Sequence, residues 1–395
     1  MPASAPQTAT APPTEGGGPR RRFRRAHEFW ERVTEGLALQ ELWASFRADA
    51  RSSYQLYSRD VVRREEQLPP RHQRWQTVKA FFWSVVMKLS PARRVILLLA
   101  LLFLVLPTFE VESQNGHLTV VTFGSGFAAV LLILLLVLEI ADRVTMKRDL
   151  EIAREIQNWL VPEVPPAIPG FDVAFVTRPA NTVGGDYYDV VTRSCDGAKE
   201  SVLLAVADVA GKGIPAALLM ASFQASLRTL SSTPTPLVEH VPALNRYACT
   251  NSQGGRRFTT AFISELDATS GQLTYINAGH NPPVLRRLSG QVERLDCGGI
   301  PFGISETAQY ECAIIELRKG DTLFVFTDGL VEAENASGED FGEGRLLPLL
   351  QANGRASDTM REVMGAVDMF VGNARQHDDI TCLVLRRTEP VTSLG

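Results

Sequence analysis

The chain has 395 residues, 45% of them hydrophobic and 21% charged, with a formal net charge of −4 and a pI near 6.0. At roughly 100–200 residues per domain this predicts two or three units of ordinary folded composition. It gives no electrostatic case for binding nucleic acid. Five cysteines, at 195, 249, 297, 312 and 382, form no CxxC pair and are odd in number. That argues against a zinc site or a disulfide framework and fits a reducing compartment.

Residues 1–26 begin with Ala, Pro, Thr and Gly and hold the cluster Arg20, Arg21, Arg22, Arg24 and Arg25. The stretch has too little apolar surface to offset chain entropy and reads as disordered. The basic cluster suits anionic lipid or a solvated tail equally. No charged n-region followed by an early apolar run marks a cleaved signal peptide. Residues 27–92 are polar with scattered aromatics such as Phe29, Trp30, Trp43 and Phe46. They read as a cytoplasmic segment of amphipathic helices, broken at Pro69-Pro70, with Phe81, Phe82 and Trp83 suited to a membrane interface.

Two apolar runs follow, 95–109 and 118–141. A bilayer core needs about 20 apolar residues. The second run meets this; the first is short, with Pro107 near its end, and is read as a span because the two form a pair. Arg93, Arg94, Arg143, Lys147 and Arg148 flank the pair, and the intervening loop has Glu110 and Glu112 but no Lys or Arg. The positive-inside rule then predicts two transmembrane helices within 93–141, both termini cytoplasmic and a very small external loop. Two spans are too few for a transporter of inverted repeats. Residues 142–160 lack Gly and Pro and put Ile152, Ile156, Trp159 and Leu160 on one face. This predicts a linker helix with an apolar stripe, suited to a twin helix or to its own domain, within a linker that runs over 142–165.

From Phe171 the pattern changes to short strands and turns. The run 202–207 and the segments 261–266, 272–276, 321–326 and 380–385 read as strands. Residues 267–271 make a hairpin turn, and helices are expected at 214–229, 236–250, 344–351 and 357–372. Long helices among hairpin-linked strands predict α+β layering with antiparallel sheets over 166–390.

Four turns carry carboxylates at or near strand ends: Gly184-Gly185-Asp186, Asp208-Val209-Ala210-Gly211, Thr327-Asp328-Gly329 and Asp378-Asp379. Singly, such dipeptides mark only turns. Together they are carboxylates that would repel one another without a cation. An all-oxygen donor set favours Mg²⁺ or Mn²⁺ over zinc. A pair of such ions can activate water and stabilise in-line displacement at phosphorus. HExxH and EF-hand spacings are absent from the sequence, which disfavours a zinc hydrolase and a calcium module.

The sequences EIAREIQNWLVP (151–162), PANTVGGDYYD (179–189), DVAGKGIPAALLM (208–220), NAGHNPP (277–283), TDGLVEAE (327–334), FGEG (341–344) and DDIT (378–381) occur in this order over about 240 residues. In this the chain resembles the metal-dependent protein phosphatases of type 2C, in particular the bacterial branch of sporulation and stress-response phosphatases. The resemblance implies an αββα sandwich of two antiparallel sheets flanked by helices. It implies a serine/threonine phosphatase using water activated by two Mn²⁺ or Mg²⁺ ions. Asp208 would bridge the metals; Asp186 and the Val209 carbonyl would complete one, and Asp328 with Asp378 or Asp379 the other. His280 would be structural or a proton relay. Lys212 and Arg256-Arg257 are cations available to substrate phosphate, read here as solvated surface. Ala210 stands where Ser is common in this branch and Phe326 where Tyr is common. The phosphate-binding Arg of the eukaryotic members has no counterpart.

The implied partners are a phosphoprotein substrate, in this branch often an anti-sigma-factor antagonist, the membrane, and a second copy pairing through 142–160. The rival reading is a non-catalytic membrane signalling scaffold with the same fold.

Overall fold

A computed structural model describes residues 83, 86–87, 89–105, 109–112, 118–121, 123–195, 199–233, 235–252, 254–350 and 354–388. The expected disordered tail 1–26 and most of the helical segment 27–92, including the Pro69-Pro70 break, lie outside these residues. The chain divides between Ile140 and Ala141 into two compact units.

In the first unit, α1 (Pro91–Val105) is followed by the strands β1 (Phe109–Glu112) and β2 (Leu118–Val121) and the start of α2 (Phe123–Leu160). β1 and β2 pair antiparallel, Phe109 opposite Val121 and Glu112 opposite Leu118. Here the structure differs from the expected apolar runs. Residues 118–121, Leu-Thr-Val-Val, join a hairpin rather than beginning a helix, as β-branched residues favour. α1 and α2 run antiparallel. Arg93 near the start of α1 donates to Glu139 Oε2 at 3.1 Å and to the Leu138 carbonyl at 3.1 Å. Further along α1, the Phe103 ring sits 4.9 Å from that of Phe127. Among the described residues one helix, Gly124–Leu160, is long and apolar enough to cross a membrane, and only 6% of its most apolar window is buried. α1, at 15 residues, falls short of that length.

The second unit is α+β. Its strands are β3 (Phe171–Arg178), β4 (Tyr187–Cys195), β5 (Lys199–Val209), β6 (Thr259–Leu266), β7 (Gln272–Ala278), β8 (Val284–Arg286), β9 (Val292–Arg294), β10 (Gly298–Gly299), β11 (Ala313–Glu316), β12 (Thr322–Phe326) and β13 (Ile380–Arg387). Its helices are α3 (Ile214–Ser231), α4 (Leu237–Asn251), the short α5 (Asp328–Val331), α6 (Glu343–Leu349) and α7 (Ala356–Val371). One sheet has the order β10-β7-β6-β5-β4, with β11 also on β7; the other runs β3-β13-β12-β8-β9. All pairs are antiparallel except β10 with β7, a two-residue parallel contact of Gly298 and Gly299. The sheets are therefore not purely antiparallel as expected. Glycine allows this contact, since a Cβ on Gly298 would lie inside the Asn277 backbone.

Three clusters of buried residues define the layers. Tyr188, Val206, Phe262 and Leu273 of the first sheet meet Leu285, Leu323, Leu383 and Leu385 of the second between the sheets. Leu203, Ala205 and Ile263 on the other face of the first sheet meet Met220, Phe223 and Leu244 of α3 and α4. Phe324, Phe326 and Val384 on the other face of the second sheet meet Leu346, Met360, Val363 and Val367 of α6 and α7. β5 is apolar from Val202 to Ala207 because both of its faces are covered. α3 starts at Gly213, with Pro215 in the first turn, where its missing N–H removes no helical bond.

One ion pair, its carboxylate buried and its guanidinium part-exposed, joins α3 to β4. Asp189 is fully buried and accepts two hydrogen bonds from Arg228, at 2.7 and 2.8 Å. The Tyr187 hydroxyl donates to the same carboxylate at 2.5 Å. Removing one partner of such a pair leaves an uncompensated charge. Arg228→Ala is expected to destabilise the domain by about 3 kcal/mol, and Asp189→Asn in that background to recover part of the loss. Urea unfolding of the single and double variants measures both.

Candidate metal-dependent phosphatase site

All the carboxylates singled out in the sequence lie at strand ends. Asp186 immediately precedes β4, Asp208 is the penultimate residue of β5, Asp328 opens α5 one residue after β12, and Asp378-Asp379 lead into β13. Asp208 and Val209 are held opposite Thr260 and Thr259 of β6.

Close backbone approaches bring the turns together. A Cβ on Gly185 would stand 2.9 Å from the Val209 carbonyl oxygen, so that oxygen lies beside the Asp186 turn. A Cβ on Gly329 would lie 2.0 Å from the Asp379 carbonyl and 3.3 Å from the Asp378 Cβ. The Thr-Asp-Gly turn therefore needs glycine to pack on the Asp-Asp turn.

The two adjacent aspartates are used differently. Asp379 accepts the Ala180 N–H at 2.7 Å and the Gly185 N–H at 2.6 Å, one on each oxygen. Asp378 meets Lys212 Nζ at 2.9 Å on one oxygen and accepts the Asp379 N–H on the other. Lys212 also donates to the His377 carbonyl at 2.6 Å. Asp186 accepts from Thr327 Oγ1 at 2.8 Å, and Thr327 Oγ1 in turn accepts the Thr381 N–H at 2.9 Å.

The acids raise one another's pKa. Burial, then Asp208 and Asp379, hold Asp186 well above the usual carboxylate range. Burial, then Asp328 and Asp378, push Asp208 up to about 7, with a hydrogen bond to Asp186 acting the other way. Burial, then Asp378, raise Asp328. Among the described residues no three His, Cys, Asp or Glu close on one point as tightly as metal ligands do. Their oxygens turn instead to Lys212, Thr327 and backbone N–H groups. The donor chemistry nonetheless fits hard divalent cations: a part-buried cluster of carboxylates beside a backbone carbonyl, with the pKa of Asp186, Asp208 and Asp328 raised for want of positive charge.

His280 is fully buried, with Nδ1 3.0 Å from Thr260 Oγ1, and burial lowers its pKa to about 4. A neutral, inward-held ring suits the structural role. The sequence reading missed Gln157 of α2. Its side chain donates to the Gly184 carbonyl at 2.7 Å and accepts the Gly184 N–H at 3.1 Å. It lies off the apolar stripe of Ile152, Ile156 and Trp159, and nothing in the local pattern marks it.

The family model described as Stage II sporulation protein E (SpoIIE) matches residues 198–388. The phosphoserine phosphatase RsbU of Bacillus subtilis is 31% identical over 245 residues, 61% of this chain and 71% of that protein. The chain belongs to the SpoIIE-type family of PP2C phosphatases. Protein IcfG of Synechocystis is 28% identical over 280 residues, 63% of this phosphatase and 43% of IcfG. The SiaA-PP2C domain of Pseudomonas aeruginosa shares the fold at a TM-score of 0.53 and 22% identity, over 62% of this phosphatase and 98% of that domain. The phosphatase is thus a PP2C-type phosphoserine phosphatase, in keeping with the resemblance read from its motifs.

A carboxylate whose pKa is raised by folding stabilises the fold while protonated, and that stability is lost as pH rises through the folded value. Without divalent cations, the domain's melting temperature should therefore fall between about pH 5 and about pH 8. Excess Mn²⁺ should remove the fall, raising the melting temperature at the upper pH by roughly 5 °C. Asp208→Asn should flatten both responses. Thermal unfolding at fixed ionic strength measures this.

Proposed function

We propose that the protein is a membrane-anchored, Mg²⁺- or Mn²⁺-dependent phosphatase that hydrolyses phosphoserine or phosphothreonine on a signalling protein. The observation that carries the reading is the meeting of Asp186, Asp208, Asp328 and Asp378 at neighbouring strand ends, where burial and carboxylate neighbours raise the pKa of Asp186, Asp208 and Asp328. Asp208, between the other acids, would bridge two ions. Asp186 and the Val209 carbonyl would serve one ion, and Asp328 and Asp378 the other. Asp379 is better suited to holding the Ala180–Gly185 loop, since backbone N–H groups engage both its oxygens. Bound ions would supply activated water and charge stabilisation at phosphorus. The chain's own part is to fix the acids: Thr327 orients Asp186, and Gly185 admits the Val209 carbonyl.

Likeness to RsbU supports a phosphorylated regulator of sigma factors, of the anti-sigma-factor-antagonist kind, as substrate. The exposed apolar part of α2 and its antiparallel partner α1 are compatible with a two-helix membrane hairpin, and the basic residues flanking it would, by the positive-inside rule, put both termini in the cytoplasm. The full-length chain with Mn²⁺ should release phosphate from phosphoserine peptides, and Asp208→Asn should lower kcat at least ~100-fold. Equal turnover by wild type and Asp208→Asn would favour the non-catalytic scaffold.

We further propose that α2 regulates the site as a dimer. Ile152, Ile156 and Trp159 are all exposed in the single chain, Trp159 at 71%. Gln157, two residues from Trp159, holds the loop that carries Asp186. Trp159→Glu should change both oligomeric state, read by light scattering, and turnover. Gln157→Ala should weaken Mn²⁺ binding, read by calorimetry, about fivefold or more. If oligomeric state, turnover and Mn²⁺ affinity all stay as in wild type, the helix has no such role.

A further inference from the structure

The metal-centre reading leaves the substrate's charge unbalanced. Two divalent ions bring four positive charges, and Asp186, Asp208, Asp328 and Asp378 bring four negative ones. A phosphate monoester is an anion, and it approaches a centre that is close to neutral overall. Recognition then calls for a cation from the chain itself.

Lys212 lies at the site but is committed, with its ammonium on Asp378 and the His377 carbonyl. Arg256 is exposed. Arg257 differs from both. It is half-buried, and its guanidinium has no hydrogen-bonding or carboxylate partner among the described residues. Its Nη1 stands 3.9 Å from where a Cβ on Gly211 would lie, so the guanidinium rests against the loop that follows Asp208.

The backbone around Arg257 is fixed to that same loop. The Phe258 carbonyl accepts the Ala210 N–H at 2.9 Å, and the Arg257 N–H donates to the Ser252 carbonyl at 3.0 Å. Gly303 closes in behind it, where a Cβ would stand 3.0 Å from the Arg257 carbonyl. Arg257 also lines a small cleft of about 30 Å³ with Leu219, Ser222, Tyr247 and Asn251. Among the described residues it is a cation without a partner, on a braced segment beside the loop that follows Asp208.

We propose that Arg257 binds the phosphate of the substrate monoester. The planar guanidinium presents paired N–H donors to two phosphate oxygens. In the reaction a water oxygen bonds to phosphorus, the bond from phosphorus to the serine oxygen breaks, and a proton from the water ends on that oxygen. Arg257 stays protonated throughout, acting as neither acid nor base. It holds the phosphoryl group in line and offsets its charge.

The test uses the full-length chain with Mn²⁺, with p-nitrophenyl phosphate as substrate and inorganic phosphate as inhibitor. Arg257→Ala should raise both the KM and the phosphate inhibition constant at least ~10-fold. Arg257→Lys should recover part of the loss, Arg256→Ala should stay within about twofold of wild type, and calorimetric Mn²⁺ affinity should be unchanged in all three. Should the alanine variant fold poorly, Arg257→Gln, which keeps the stem, should give the same increases. Unchanged phosphate inhibition in Arg257→Ala or Arg257→Gln, or an equal effect from Arg256→Ala, overturns the assignment. The assignment rests on the metal-centre reading, and the two fail differently. No Mn²⁺-dependent turnover by wild type sinks the centre, whereas full turnover with phosphate inhibition indifferent to Arg257 sinks only this role.

Discussion

The candidate site depends on one carboxylate that is better placed to brace than to bind. Asp379 leads into β13 in the second sheet, and its two oxygens take the N–H groups of Ala180 and Gly185 from the segment leading to β4 in the first. Charge-assisted hydrogen bonds of this kind are roughly twice as strong as neutral ones. They hold the end of one sheet against the other where Asp186 must stand. A Cβ on Gly184 would lie 2.7 Å from an Asp379 oxygen, so the grip also requires a residue without a side chain. The pairing of the two glycines with the second aspartate thus has a mechanical cause.

That brace makes the electrostatics unavoidable. Once the strand ends are fixed, Asp186, Asp208, Asp328 and Asp378 cannot separate, and burial of Asp186 with partial burial of the others removes much of the water that would screen them. Positive charge must come from somewhere. Lys212 supplies some at Asp378, the raised pKa values of Asp186 and Asp208 favour a proton on each, and the Thr327 hydroxyl satisfies one oxygen of Asp186. Each of these substitutes is weaker than a divalent ion, and the protons leave as pH rises. A fold that holds acids together at this cost is suited to a hard cation, and the same reasoning explains why a phosphate anion then needs a cation such as Arg257.

Much of this could be read in the sequence because it follows from local pattern. The buried strand of β5, the hairpin between β6 and β7 and the four carboxylate turns are each set by neighbouring residues. α3 and α7 start and stop within about two residues of where periodicity puts them. What could not be read depends on contacts across the chain. Gln157 and Gly184 are 27 positions apart, and Asp189 and Arg228 are 39. No spacing rule links them. The choice between Asp378 and Asp379 likewise needed the location of the Ala180 and Gly185 N–H groups. The hairpin β1–β2 was missed because a run of apolar residues reads alike as strand or helix when it is short. Phe326, standing where Tyr is common, is fully buried in the cluster with Phe324 and Val384, where a hydroxyl would need a partner. Phe suits that environment, so the departure leaves the site intact.

The regulatory reading can be judged on magnitude. Gln157 makes two hydrogen bonds to the backbone of Gly184 in the Gly-Gly-Asp turn, one to each of the peptide units that flank it, together worth about 1–3 kcal/mol net. Coupling of that size shifts a binding equilibrium by a factor of roughly 5–150. A weaker link would be lost among thermal fluctuations, and a much stronger one would hold the turn in a single state whatever happened to the helix. Within the second unit α2 runs without Gly or Pro from Ala141 to Leu160, so a rotation imposed in that stretch has no built-in hinge to absorb it before Gln157. Asp379 fixes the far side of the same turn, which leaves the Gly184 peptide as the part that the helix can pull. The turn that positions Asp186 is thus held rigidly on one side and adjustably on the other, as an acid that must meet an ion only when signalled would require.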